Sequence, residues 1–367
     1  MNKLSNININ ETKMQKDSKI FVAGHNGLVG SSILASLKSQ GFSNILCRSR
    51  QELDLLDSVA VEDFFATQKP EFVFLAAAKV GGILANNTYR ADFIYENLAI
   101  QNNIIFNSYR FGVKKLLFLG SSCIYPKNAP QPLKEEYLLT GELEYTNEPY
   151  AIAKLAGMKM CESFNLQYGT NFISITPTNL YGNRDNFNLM KSHVLPALIR
   201  KLHLAKLLMN GQKDSVYKDL MRDCAKNEEE CEALLQQSFI GANCVAIWGS
   251  GKPRREFLHS QDMADASVYI MQNVNFSDLV CKQGNATRHP HINVGYGSDL
   301  SIKELALLVK DIVQYEGEIT FDSSKPDGTF QKLMDSSKLS ALGFKPKISL
   351  EQGISSVYKH YLDTYYS

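Results

Sequence analysis

The stretch from Lys19 to Gly30 constrains this chain more than any other. A short apolar run, Lys19–Ala23, enters Gly24-His25-Asn26-Gly27-Leu28-Val29-Gly30 and leaves as a helical pattern, Val29–Gln40. Glycines at that spacing let the backbone turn tightly and approach a pyrophosphate at a helix N-terminus. The placement between a first strand and a first helix separates this turn from an ordinary Gly-rich loop. The rhythm then repeats. Strand-like runs at Asn44–Cys47, Phe72–Ala76, Lys115–Leu119 and Phe172–Thr176 alternate with helical patterns at Ser58–Ala66 and Ala91–Phe111. Continuous apolar strands separated by helices predict an α/β fold, a Rossmann-type doubly wound parallel sheet covered on both faces.

Composition narrows the class of ligand. The 367 residues carry a net charge of +1, so no broad basic field favours nucleic acid or an anionic membrane. An anionic ligand must be met by a few placed cations. Apolar stretches are too short to span a bilayer, and the polar residues 1–17 read as a disordered leader. Seven cysteines without CxxC pairs fit reduced thiols in a cytoplasm and give no support to a metal site.

Cofactor choice is readable at the second strand. It ends in Cys47-Arg48-Ser49-Arg50, where an acid would accept a ribose 2′-hydroxyl and two arginines would pair with a 2′-phosphate. Arg48 and Arg50 therefore predict NADPH. Ala76, Ala77 and Ala78 close the third strand with small side chains that leave room for the cofactor, and Pro177, Asn179 and Leu180 follow the fifth strand towards the nicotinamide end.

Tyr150 and Lys154 stand four residues apart, on one helical face. A phenol with an ordinary pKa of about 10 needs a nearby cation to exchange protons near neutrality. Lys154 is expected to supply that field and to hold the ribose. The strand before this helix ends in Gly120-Ser121-Ser122-Cys123, where Ser121, with Ser122 in reserve, can hydrogen-bond an oxygen being reduced. Serine, tyrosine and lysine together polarise a carbonyl for hydride attack.

At these residues the chain resembles the extended short-chain dehydrogenase/reductase family and, within it, the GDP-L-fucose synthases. The resemblance runs from about Ser18 to the C-terminus. It rests on Leu75 to Asn87 (LAAAKVGGILANN), Leu116 to Pro126 (LLFLGSSCIYP), Thr146 to Gly157 (TNEPYAIAKLAG), Pro177 to Gly182 (PTNLYG) and Ser324 to Gly328 (SSKPDG). It implies 3,5-epimerisation and 4-reduction of a GDP-4-keto-6-deoxy sugar, by default GDP-4-keto-6-deoxy-D-mannose to GDP-L-fucose. Cys123 matches the group that exchanges protons at C3 and C5, and His193 matches the acid on the opposite face and a cofactor neighbour. Ser122, Asn179, Lys201, Trp248, Arg255 and Lys332 match GDP-sugar contacts. A homodimer through helices Ala91–Phe111 and Tyr150–Tyr168 is also implied.

Two departures stand out. Asn26 occupies a place that is often arginine, and Lys206–Asn243 is longer than in the usual enzyme. Relatives with such an insert include enzymes of GDP-6-deoxy-heptoses, so a heptose substrate is the alternative. A non-catalytic NADP-binding regulator is a remote one. In the insert, Val216, Tyr217, Leu220 and Met221 have helical spacing, and Asn227 precedes Glu228–Glu230 as a cap. The expected division is a cofactor domain at 18–182 with a return at about 245–275. A smaller C-terminal α/β substrate lobe is expected from 183–244 and 276–367.

Overall fold

The computed structural model describes residues 13–280, 289–325 and 327–366. The first half alternates β1 (Ile20–Ala23), α1 (Leu28–Ser39), β2 (Ile45–Leu46), α2 (Ser58–Gln68), β3 (Phe72–Leu75), α3 (Ile83–Thr88), α4 (Arg90–Arg110), β4 (Lys115–Leu119), α5 (Glu148–Tyr168), β5 (Phe172–Pro177) and β6 (Asn179–Tyr181). The second half contains α6 (Val194–Met209), α7 (Lys213–Leu220), α8 (Glu228–Gln237), β7 (Cys244–Trp248), β8 (Arg254–His259), α9 (Ser260–Asn273) and α10 (Phe276–Leu279). It closes with β9 (Ile292–Val294), β10 (Asp299–Ser301), α11 (Ile302–Val313), β11 (Glu318–Asp322), β12 (Gln331–Lys332), α12 (Ser337–Ala341) and α13 (Leu350–Tyr365).

The chain divides into two compact units. Among the described residues, the first comprises those up to Leu180 with those of Ser260–Gly297 and Met334–Lys347. Its sheet has the order β2-β1-β3-β4-β5-β9, and every pair in it is parallel. Every residue of β1, β3, β4 and β5 is buried, which is why these strands read as largely apolar runs, broken only by the buried Lys115, Ser174 and Thr176. Helix α5 carries Pro149 in its first turn, where its fixed φ is suited, and is capped at its end by Gly169 with φ +71. It packs close on β4, for a Cβ at Gly157 would lie 2.5 Å from the Phe118 ring. The Gln101 amide of α4 donates to the Ala153 carbonyl at 2.7 Å and fixes α5 along its axis.

The second unit comprises Tyr181–His259, Ser298–Leu333 and the chain from Ile348. It holds a small sheet ordered β10-β8-β12 and a parallel pair, β11-β7. The insert forms the end of α6 together with α7 and α8. Its Val216, Tyr217, Leu220, Cys231 and Leu235 join Leu202, Ile354 and Tyr361 in this unit's core. Met221 is more exposed, and Asn227 caps α8 through a hydrogen bond from the Glu230 amide at 2.8 Å.

A buried ion cluster ties the insert down. Arg200 of α6 is wholly buried and donates through Nε to Asp219 Oδ1 at 2.8 Å. Nη1 reaches Asp223 Oδ2 at 3.0 Å and the Phe187 carbonyl at 3.2 Å. Nη2 reaches the Asp219 carbonyl at 3.0 Å and Asp223 Oδ1 at 2.8 Å. The hydroxyls of Tyr361 and Tyr366 both donate to the remaining Asp219 oxygen, at 2.7 and 2.9 Å.

The boundaries differ from the sequence expectation in three places. Residues 1–12 of the expected leader lie outside the described residues, but Met14 is buried and Lys16 lies 4.2 Å over the Phe42 ring, so 13–17 belong to the packed unit. Of the expected return at about 245–275, strand β7 instead pairs with β11 in the second unit, while the part from Ser260, with α9, belongs to the first unit as expected. Segments 276–280, 289–297 and 334–347 belong to the first unit rather than the substrate lobe; residues 281–288 lie outside the described residues. The cause is non-local: β9 pairs with β5, and the Tyr269 hydroxyl donates to the Leu342 carbonyl at 2.8 Å. No helix among the described residues is long and apolar enough to cross a membrane.

Candidate active site

The glycine turn is built as a backbone cradle. Gly24 has φ +87, and a Cβ there would lie 2.6 Å from the Ala77 amide nitrogen, so the end of β3 closes directly on it. A Cβ at Gly30 would lie 2.1 Å from the Gly24 carbonyl oxygen. Gly27 is the N-cap of α1, with no side-chain cap and no acid in the first turn. The amides of Leu28, Val29 and Gly30 are therefore left without an intrahelical partner at the positive end of the helix. These residues fit a dinucleotide pyrophosphate, with His25 and the exposed Asn26 on the turn itself. Beyond β2, Arg48 lies over the Phe64 ring at 5.8 Å and donates to the Cys47 carbonyl at 2.7 Å. Arg50 is exposed and only 3.8 Å from Asp54, a pairing of little strength in water.

The strand β4 ends in a tightly held corner. The Gly120 amide donates to the Ile175 carbonyl at 2.7 Å. Ser121 is extended and caps a 3₁₀ turn, Ser122–Ile124, by accepting from the Cys123 amide. Its hydroxyl oxygen lies 2.9 Å from the Cys123 sulfur. Both Ser122 and Cys123 are buried. On α5, the Lys154 ammonium donates to the Leu119 carbonyl at 2.8 Å and lies 5.9 Å from the centroid of the Tyr150 ring. Phe93 meets that ring edge-on, centroids 6.3 Å apart.

Electrostatics differ from the sequence expectation here. Burial, and then the charge that Cys123 would carry, hold the Tyr150 phenol well above its ordinary pKa, while a hydrogen bond from Ser121 works in the other direction. Lys154 is not among the groups that shift it. Burial instead pushes the Lys154 ammonium down to about 8, opposed by Cys123. Tyr150 is thus a protonated donor at neutral pH. Ser121, Cys123, Tyr150 and Lys154 come together in one unit, next to Ala76–Ala78 at the neighbouring strand end; Pro177, Asn179 and Leu180 follow β5 in the same unit.

The remaining predicted residues lie in the second unit. His193 is the N-cap of α6 and reaches solvent, and partial desolvation lowers its imidazole pKa. Lys201, farther along α6, donates to the Ser238 carbonyl at 3.0 Å, and burial lowers it to about 8. One of that ammonium's three donors is thereby used on the insert. Arg255 and Lys332 stand in register across β8 and β12. Trp248 is 58% exposed, with the Lys325 ammonium 5.6 Å over its ring. Sequence reading passed over Asp185 in the loop before α6. One of its carboxylate oxygens is buried with no partner among the described residues, and burial pushes its pKa up to about 7. A lone loop aspartate offers no sequence signal for that.

Comparison with known proteins agrees with this geometry. Residues 20–281 match the model of the NAD dependent epimerase/dehydratase family. The chain is 50% identical over 347 residues to GDP-L-fucose synthase 1 of Arabidopsis thaliana, covering 95% of this chain and 94% of that protein. Among solved structures, a GDP-6-OMe-4-keto-L-xylo-heptose reductase from C. jejuni superposes with a TM-score of 0.90 at 50% identity, over 96% of this chain and 99% of that one. A GDP-mannoheptose C4 reductase from Campylobacter jejuni with NADP bound gives 0.83 at 50% identity, over 95% and 99%. The glycine cradle, the serine–tyrosine–lysine corner and these matches together place the chain in the NAD dependent epimerase/dehydratase family.

Proposed function

We propose that this chain is an NADPH-dependent enzyme that epimerises C3 and C5 of a GDP-4-keto-6-deoxy sugar and reduces C4, converting GDP-4-keto-6-deoxy-D-mannose to GDP-L-fucose. The observation that carries the reading is the 2.9 Å contact between Ser121 Oγ and Cys123 Sγ beside Tyr150. A carbonyl oxygen held by Ser121 makes the neighbouring C–H protons acidic, and a thiolate there can take them. NADPH, when bound, supplies the hydride for C4. Gly24, Gly27 and Gly30 with the first amides of α1 hold its pyrophosphate, and Arg48 and Arg50 take its 2′-phosphate. Lys154 holds the ribose.

In the epimerisation Cys123 removes a proton from C3 or C5 on one face, and the enolate charge rests on the oxygen held by Ser121 and Tyr150. His193 returns a proton from the other face, which inverts the centre. In the reduction Tyr150 gives its phenolic proton to O4 as C4 accepts hydride. The second unit's Arg255 and Lys332 neutralise the diphosphate, and Trp248 offers a flat apolar face. Asn179, Ser122 and Lys201 complete the proposed GDP-sugar contacts.

The Cys123→Ser variant should lose solvent-deuterium incorporation at C3 and C5 while still binding NADPH; normal exchange would refute the assignment. A GDP-4-keto-6-deoxy-heptose is the second reading; two heptose-nucleotide reductases match this chain at 50% identity, the same as the fucose synthase. The ratio of kcat/KM for the hexose and heptose substrates decides between them. Exposed Tyr95 and Phe106 on α4, with Ile152 and Leu166 on α5, support a homodimer through that face, measurable by sedimentation. The described cysteines are free thiols, which supports a cytoplasmic protein.

A further inference from the structure

The turn that carries Cys123 is held unequally at its two ends. On one side Gly120 and Ser121 continue β4, fixed by the Gly120 amide to the Ile175 carbonyl at 2.7 Å. On the other side the backbone offers only two long hydrogen bonds, Ile124 N to Ser121 O at 3.2 Å and Tyr125 N to Ser122 O at 3.4 Å. A single 3₁₀ turn of this kind does not fix itself. Its far end is anchored by the Tyr125 side chain, which is 3% exposed. The Tyr125 hydroxyl lies 2.6 Å from Asn293 Oδ1 and 2.8 Å from His291 Nε2. A phenol has one proton, and Asn293 Oδ1 can only accept it. His291 must then carry its hydrogen on Nε2 and donate to the Tyr125 oxygen.

Both partners are themselves fixed. Asn293 lies in β9, in register with Thr176 of β5. Its backbone amide donates to Glu135 Oε1 at 3.1 Å, and its Nδ2 donates to the Leu133 carbonyl at 2.9 Å, which sets the amide with Oδ1 towards Tyr125. The Lys338 ammonium donates to the carbonyls of His289 and His291, at 2.9 and 2.8 Å. Burial, reinforced by Lys338, keeps the His291 ring neutral, consistent with one hydrogen on that ring. The hydroxyl therefore ties the turn to the edge of the parallel sheet.

We infer that Tyr125, through Asn293 and His291, is a positioning residue that sets where the Cys123 sulfur stands, while Ser121 is set independently by β4. The inference rests on the assignment of C3 and C5 exchange to Cys123. Tyr125 stands two residues beyond Cys123, so releasing its hydroxyl frees the cysteine's end of the turn and leaves the serine's end in place. A shift of about 1 Å in a reacting group costs on the order of a hundredfold in rate.

Two reactions separate the ends of the turn. Deuterium uptake at C3 and C5 of GDP-4-keto-6-deoxy-D-mannose in D2O, with NADP+ present, needs proton exchange but no hydride. Single-turnover NADPH formation from GDP-L-fucose and NADP+ needs hydride transfer but no epimerisation. Tyr125→Phe should slow exchange by about 10- to 100-fold and change hydride transfer by less than about threefold. His291→Gln, which keeps an N–H donor towards Tyr125, should preserve exchange within about threefold. If Cys123→Ser abolishes exchange while Tyr125→Phe leaves it intact, or lowers both reactions alike, the inference is overturned and the Cys123 assignment stands. If Cys123→Ser retains exchange, both fall. Should Tyr125→Phe not fold, Asn293→Ala assayed below its own unfolding midpoint is judged by the same criterion.

Discussion

Two buried polar clusters in this molecule use burial in opposite ways. In the corner at the end of β4, burial works against the groups it encloses. Tyr150 is held well above its ordinary pKa and Lys154 is pushed down to about 8, and no carboxylate is among the causes of either shift. Around Arg200 the two aspartates are in place. Burial alone would lower the guanidinium's pKa, but a hydrogen bond to Asp223 and the charge of Asp219 more than offset it and raise it. Its five donors all meet oxygen acceptors. In one cluster burial favours the uncharged forms, holding Tyr150 protonated as a donor and bringing Lys154 towards neutrality. The other fixes charges in one state and so pins the insert to α6 and to the C-terminal segment.

The sharpest way to break this contrast is to remove a group from each cluster and read both activity and stability. Tyr150→Phe should lower kcat for the GDP-keto-sugar by about 10²- to 10⁴-fold, followed as NADPH oxidation. Its unfolding midpoint should hold or rise, because a desolvated polar group is gone. Arg200→Leu should do the reverse. It strands Asp219 and Asp223 and should cost about 3–5 kcal/mol in urea unfolding, with NADPH affinity unchanged. A loss below about 1 kcal/mol would mean that the cluster is no more than a surface-like pair.

A subtler prediction concerns pH. Lys154 titrates at about 8 in the folded protein, below the ordinary lysine value, so its charged form is lost as pH rises through that region. If holding the cofactor ribose needs the ammonium, kcat/KM should fall above about pH 8, on a limb that Lys154→Met abolishes along with most activity. The smallest effect belongs to the insert's own helix cap. Asn227→Ala removes the acceptor for the Glu230 amide and should cost about 1 kcal/mol without touching kcat.

How legible these features were in the sequence follows their range along the chain. The glycine cradle was readable because Gly24 and Gly30 act within one turn, where positive φ at Gly24 and close backbone approach at both admit little else. Tyr150 and Lys154 were readable because helical period alone puts them on one face. The helices of the insert were visible in Val216, Tyr217 and Leu220 and in the Asn227 cap for the same reason. Met14 was missed because one apolar residue in a polar segment has no period to reveal it, and only Phe42 and its neighbours give that segment something to pack on.

By itself, then, the sequence determined whatever depends on spacing: the alternating strands and helices, the glycine turn, and the placing of Ser121, Tyr150 and Lys154, while Cys123 was singled out only by the family resemblance. Tertiary structure alone decided which distant groups meet. It brought β9 to the edge of the sheet, Tyr125 to His291 and Asn293, and Arg200 to Asp219 and the tyrosines of the C-terminal segment. It also decided that Lys201 serves the insert and that Lys154 is lowered rather than lowering Tyr150. The physical reason is common to all of these. Local periodicity sets the face a side chain occupies, but burial and partnership, which set its charge state, depend on chain segments that spacing cannot relate.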